Sequence, residues 1–139
     1  MFDSATKMIT LMATDMIKYV FEYELSSQSV PMIWEAIATG PGLSAWFADG
    51  VDVTGKRYGF RWGKSEAREA ELINCRQNTY VRFRWMDEAP GTFFEMRILK
   101  NDLTSNYILE VTDFGEHGSE DEVKSLWDSS IDALRRCGL

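Results

Sequence analysis

From Val51 to Phe114 the chain is a succession of short alternating runs separated by turns of a few residues, and one long amphipathic stretch, Ser119 to Cys137, follows them. That order leaves few folds open. Turns this short join antiparallel neighbours, because a parallel crossover needs a dozen residues or more. A sheet whose alternation makes one face apolar has to hide that face. The terminal stretch is the one amphipathic element long enough to do so. The pattern therefore predicts an α+β fold in which a curved antiparallel β-sheet wraps around a long C-terminal α-helix, with two short helices after the first strand.

The alternation is explicit along the chain. Ile17, Tyr19, Phe21, Tyr23 and Leu25 share one side of a first strand, with Lys18, Glu22 and Glu24 on the other. Ser29 is placed to cap a helix whose first turn holds Pro31, with Val30, Ile33, Trp34 and Ile37 on one stripe. Gly40-Pro41-Gly42 is expected to stop that helix, and Leu43 to Ala48 to form a second one carrying Trp46 and Phe47. Strands then follow over Val51–Thr54, Arg57–Trp62, Glu66–Cys75, Tyr80–Trp85, Phe93–Lys100 and Asn106–Phe114. The polar run Glu66–Cys75 is expected near an edge of the sheet. In the last helix Ser119 and Glu122 form a capping-box pattern, and Val123, Leu126, Trp127, Ile131 and Leu134 mark an apolar face.

Composition narrows the function classes. The 139 residues are one domain's worth, and 45% hydrophobic content gives enough apolar side chains for a core. A net charge of −7 repels phosphate backbones and anionic lipid, so nucleic acid is excluded as a partner class. No run is apolar enough for a membrane span, and the start of the chain lacks the pattern of a signal peptide. Cys75 and Cys137 fit no metal or redox spacing and read as free thiols, pointing to a cytoplasmic protein. Residues 1–15 are expected to be a flexible N-terminal arm, and residues 16–139 the domain.

The segment Ser29-Val30-Pro31-Met32-Ile33-Trp34-Glu35-Ala36-Ile37, followed by Leu43-Ser44-Ala45-Trp46-Phe47 and by Arg57-Tyr58-Gly59-Phe60-Arg61-Trp62, resembles the START-like, helix-grip (SRPBCC) superfamily. Members include the birch-pollen-allergen type and polyketide cyclases. The nearest likeness is to homologues of the activator of a heat-shock chaperone's ATPase. The resemblance implies a sheet gripping the last helix, with a cavity between them that often holds a small apolar molecule. The Gly40-Pro41-Gly42 linker departs from the polar connection usual in that branch.

Candidate site residues follow from the inward faces of the strands. Tyr58, Phe60, Trp62, Val81, Phe83 and Trp85 would face the helix from three strands, and Met96, Ile98, Tyr107 and Leu109 from two more. Trp127 and Ile131 would face them from the helix, while Trp34, Trp46 and Phe47 would close one end as a lid or as ordinary packing. A set like this can fill a core or line a pocket. The arginines Arg57, Arg61, Arg68, Arg82, Arg84 and Arg97 are expected on the opposite, solvated face, paired with Glu66, Glu69, Glu71 and Glu95. Asp113, Glu110 and Glu95 are expected to be solvated. His117 has no nucleophile-and-orienter pattern around it. No catalytic residue, metal ligand or cofactor motif emerges. Three functions remain open: a binding domain for a small apolar ligand, a cochaperone-like protein-interaction module that regulates an ATPase, and a cyclase- or hydrolase-type enzyme. The oligomeric state, monomer or homodimer, is left open as well.

Overall fold

The structure, a computed structural model, describes residues 16–139. The expected N-terminal arm over residues 1–15 lies outside the described residues. Strand β1 (Met16–Glu24) buries Tyr19, Phe21 and Tyr23 and exposes the residues between them, as its period-two pattern requires. Helix α1 (Val30–Ala38) starts where Ser29 Oγ accepts a hydrogen bond from the Met32 amide at 3.3 Å, and it buries Ile33, Ala36 and Ile37.

The next segment differs from expectation. Gly40-Pro41-Gly42 does not end in a loop but opens helix α2 (Gly40–Ser44), and residues 45–47 form a turn instead of continuing a helix. Thr39 makes this work. Its extended backbone redirects the chain, its amide and hydroxyl both donate to the Glu35 carbonyl, and Oγ1 accepts from the Gly42 amide at 3.0 Å. Pro41 sits in the first turn, where a missing amide leaves nothing unpaired. A Cβ on Gly42 would strike the backbone of Glu35 and lie 2.8 Å from Ala36 Cα, so only glycine lets the two helices approach this closely.

Strands β2 (Gly50–Thr54), β3 (Arg57–Trp62), β4 (Glu66–Arg76), β5 (Tyr80–Trp85), β6 (Phe94–Lys100) and β7 (Tyr107–Glu116) then run as a meander. The seven-stranded sheet has the order β1-β7-β6-β5-β4-β3-β2, and every neighbour is antiparallel. The two helices thus carry the chain from one edge to the other, and the meander returns it beside β1. Strand β4 is third from the β2 edge, not at an edge. Its polar residues divide between the outer face, with Glu69 and Glu71, and an inner side on which Glu66 and Arg68 face an open cleft.

Helix α3 (Glu120–Arg136) crosses the concave side with Trp127, Ile131 and Leu134 buried. The expected capping box is not formed; Ser119 Oγ donates to the Glu116 carbonyl at 2.7 Å. Three acidic residues in the first turn remain to favour the positive end of the helix dipole. Gly115 of β7 is buried where a Cβ would meet Val123 Cγ2 at 2.7 Å, which lets the helix start close against the sheet. Leu126, expected on the apolar face, is 73% exposed, because the buried stripe runs through Val123, Trp127, Ile131 and Leu134 instead. The middle of the interior is solid: Phe60, Phe83, Met96, Leu109 and Ile131 are fully buried.

This orientation of α3 predicts opposite outcomes for two neighbouring truncations. Ile131→Ala should cost about 2–5 kcal/mol in urea unfolding. Leu126→Ala should stay within about 0.5 kcal/mol of the parent. Equal losses would mean the helix is rotated from the position described.

Candidate functional site

The register of the meander brings the ends of several strands together. Trp62 closes β3 opposite Glu66, which opens β4; Ala70 of β4 faces Trp85 at the end of β5; and Phe83 of β5 faces Phe94 at the start of β6. Phe47, in the turn after α2, and the middle of α3, with Leu126, Trp127 and Ser130, close over this corner. Between them lies a cleft of ≈ 340 Å³, open on one side to solvent. Its walls are Phe47, Trp62, Trp85, Phe94 and Trp127, and Glu66, Arg68, Asp113, Leu126 and Ser130 complete the lining.

The five rings pack into one contiguous cluster, with Phe47 stacked on Phe94 at 5.8 Å across it. Centroid separations are 6.2 Å from Trp62 to Trp85, 4.9 Å on to Phe94, 6.1 Å to Trp127, 5.8 Å to Phe47 and 6.1 Å back to Trp62. Phe60, fully buried, backs the cluster at 5.1 Å from Phe47 and 5.5 Å from Trp85. These are the distances at which aromatic pairs attract through offset and edge-on contacts. Two indoles are pinned by hydrogen bonds. Trp62 Nε1 donates to the Phe47 carbonyl at 2.8 Å, and Trp127 Nε1 donates to Asp113 Oδ2 at 2.8 Å.

Asp113 stands on the inner side of β7, contrary to its expected solvation. Its Oδ1 accepts from the Phe114 amide at 2.7 Å. Burial pushes its carboxyl up to about 6, although both hydrogen bonds favour the ionised form. Arg68 also faces inward, because Arg68 and buried Ala70 occupy the same side of β4. Its guanidinium lies 4.0 Å over the Trp85 ring, donates from Nε and Nη2 to the Asp87 carboxylate, and reaches Glu88 at 3.1 Å. That pairing holds the Asp87 carboxyl below its usual range.

Glu95 is a second correction. It is 5% exposed, yet it lies on the outer side of the sheet, away from the cleft. Arg82 Nη2 at 2.9 Å and Arg97 Nε at 3.3 Å neutralise it, while Arg82 covers Phe93 and Arg97 covers Tyr80. Arg57 and Glu69 do pair across strands in solvent, at 3.5 Å.

Of the residues expected to line a cavity, Phe47, Trp62, Trp85 and Trp127 come together at the cleft. Tyr58, Phe60, Val81, Phe83, Met96, Ile98, Leu109 and Ile131 are in the packed core. Trp34 is half-buried against that core, and Trp46 anchors the helices by donating from Nε1 to the Ala36 carbonyl at 2.8 Å. Tyr107 sits apart, in a surface depression with Gln28 and Lys100. The polar members of the lining, Glu66, Arg68 and Asp113, escaped the sequence reading. A signal existed in β4, where Arg68 and Glu66 are in phase with Ala70 and Leu72.

Residues 12–137 match the family model of the START-like superfamily domain. The chain belongs to the START-like superfamily. Among solved structures this START-like domain is similar to the protein BfR322 from Bacteroides fragilis, with 40% identity over 89% of this chain and 92% of that one, and a TM-score of 0.64. It is also similar in fold to the Aha1 dimer from Colwellia psychrerythraea, at 16% identity, 85% and 92% coverage and a TM-score of 0.68. The protein XoxI from Bacillus cereus shares 12% identity, with 86% and 94% coverage and a TM-score of 0.71. No curated protein matches the sequence. Among the described residues no helix is long and apolar enough to cross a membrane, and Cys75 and Cys137 are exposed free thiols.

The raised carboxyl of Asp113 has a measurable consequence. Its folded value, about 6, lies above the ordinary 3.8, so the folded state holds this proton more tightly than the unfolded chain does. The stability assigned to Asp113 therefore rises as pH falls from above 6 to below 3.8. Asp113→Asn keeps an acceptor for Trp127 Nε1 and removes the charge. Its NH2 then meets the Phe114 amide, a loss that does not vary with pH, so the pH-dependent part reads Asp113: relative to the parent, the variant should gain on the order of 1–2 kcal/mol between pH 3.8 and pH 7. That gain is read as the difference between the two urea-unfolding curves across pH. A difference independent of pH would place Asp113 in solvent.

Proposed function

We propose that this START-like domain binds a small molecule with a flat or apolar body in the cleft between the sheet and α3. One observation carries the reading. The interior is packed solid through its middle, yet at one corner a cluster of five aromatic rings walls one side of ≈ 340 Å³ of open space. Close packing is the rule for protein interiors, so a ring-walled hollow reached from solvent fits a ligand better than a core. Its size falls at the small end of the roughly 300–1,000 Å³ usual for ligand pockets. The rings supply contact area, and the polar groups at the lip would orient the guest.

An enzyme of cyclase or hydrolase type is a second reading, and Asp113 favours it, since a carboxyl held near 6 inside a cleft suits proton transfer. Binding is the preferred reading because, among the described residues, no second titrating group is hydrogen-bonded to Asp113 as a nucleophile or base. A cochaperone role draws only on the Aha1 likeness, which at 16% identity speaks for the fold alone.

The full chain should quench or shift its tryptophan emission on titration with the neutral probe N-phenyl-1-naphthylamine, with one site per chain. Trp62→Ala, folded by circular dichroism, should weaken the probe about tenfold, or ~1.4 kcal/mol. Native mass spectrometry of freshly purified protein should show a retained small molecule. A protein that ignores the probe, or a Trp62→Ala variant that binds it as tightly as the parent, would overturn the reading.

A further inference from the structure

The cleft's hydrogen-bonding inventory is lopsided, and it restricts the guest further. Of the donors near the rings, the Trp62 indole is engaged by the Phe47 carbonyl and the Trp127 indole by Asp113. Arg68, the one cation of the lining among the described residues, has two carboxylates of its own, Asp87 and Glu88, and its guanidinium already rests on Trp85. An anionic guest would therefore meet no uncompensated positive charge and would have to take Arg68 from its partners. Acceptors are in the opposite condition. The Asp113 carboxylate touches only neutral donors, each oxygen taking one. Glu66, also in the lining, forms no ion pair among the described residues. The rest of the lining is Leu126, the Ser130 hydroxyl and the ring surface left open, chiefly on half-buried Phe47 and Trp62, since Arg68 covers Trp85 and Phe94 is buried; the quadrupole of a ring presents negative potential over its face.

We propose that the cleft selects an organic cation, an amine or quaternary ammonium carried on a small apolar or aromatic body, with the open ring surface of Phe47 and Trp62 receiving the cationic head and Asp113 and Glu66 supplying the counter-charge. This rests on the cleft being a ligand site and names the class of ligand it takes. Three features agree on the sign. The rings attract cations and not anions. Among the described residues, the charged groups of the lining without an ionic partner, Asp113 and Glu66, are acceptors, beside one neutral hydroxyl, Ser130. The charges around the mouth, Glu66, Asp87, Glu88 and Asp113 against Arg68, sum to an excess of negative charge, within a chain of net charge −7. At pH 7 Asp113 is ionised, since its carboxyl titrates near 6. The arrangement of Arg68 over Trp85 at 4.0 Å already shows a delocalised cation seated on one of these rings. The exposed Leu126 at the lip gives the apolar body a surface to lie against.

The test uses three probes of similar shape that differ in charge: phenyltrimethylammonium, its neutral isostere tert-butylbenzene, and benzenesulfonate. Each displaces N-phenyl-1-naphthylamine from the full chain at pH 7.5 and low salt. The cation should bind about tenfold or more tighter than the neutral isostere, and the sulfonate should bind weakest. In the double variant Asp113→Asn, Glu66→Gln, checked for folding by circular dichroism, the cation-to-neutral ratio should drop to about threefold, the part the rings alone supply. A ratio near one in the parent, a preference for the sulfonate, or an undiminished ratio in the double variant would overturn the assignment while leaving the cleft a binding site. Failure of the naphthylamine itself to bind would remove the underlying reading instead.

Discussion

A single helix cannot cover the concave face of this sheet, and the rest of the structure follows from that mismatch. Seven strands span six gaps of about 4.8 Å, so the sheet is about 29 Å wide before bending. A helix with its side chains is about 10–12 Å across. Curvature reduces the difference without removing it. On one side α1 and α2 fill the remainder, fastened by Tyr58 Oη donating to the Ala38 carbonyl at 2.7 Å and by Trp46 donating to Ala36. At the corner bounded by β3, β4 and β5 nothing fills it, and large flat rings wall one side of the gap. The cleft is thus the geometric remainder of the fold, lined by residues too big to collapse into it.

What holds the cleft's shape is a small set of directed hydrogen bonds between elements far apart in sequence. Trp127 ties α3 to β7 through Asp113, and Trp62 ties β3 to the turn at Phe47. Each adds a directed bond to a ring already packed among its neighbours. The thiols, the loop with His117 and the depression at Tyr107 lie away from this framework.

Two carboxylates show how burial is tolerated in different ways. Glu95 is buried on the outer face between two guanidinium groups that are themselves laid over aromatic rings, so its charge is matched. Asp113 is hydrogen-bonded only by an amide and an indole, and burial pushes its carboxyl upward against both of those bonds. A matched charge stabilises a surface; an unmatched one inside a cleft is available to a guest.

Much of the architecture was legible because it depends on near neighbours. Period-two runs such as Tyr80–Trp85, the short turns between them and the apolar stripe through Trp127, Ile131 and Leu134 determined by themselves an antiparallel sheet gripping a terminal helix. The same local logic misread Gly40-Pro41-Gly42, where a helix start held by Thr39 looks like a helix stop, and Leu126, where one position of rotation separates core from lip. The cleft was legible only in part. Composition and alternation supplied the rings, but which of them meet at a corner depends on the register of strands and the tilt of α3. Asp113, Glu66 and Arg68 acquire their meaning there as well. Whether a charged side chain on an inner strand face is a fault or a feature is decided by what stands opposite it, and only the tertiary structure places those partners within reach.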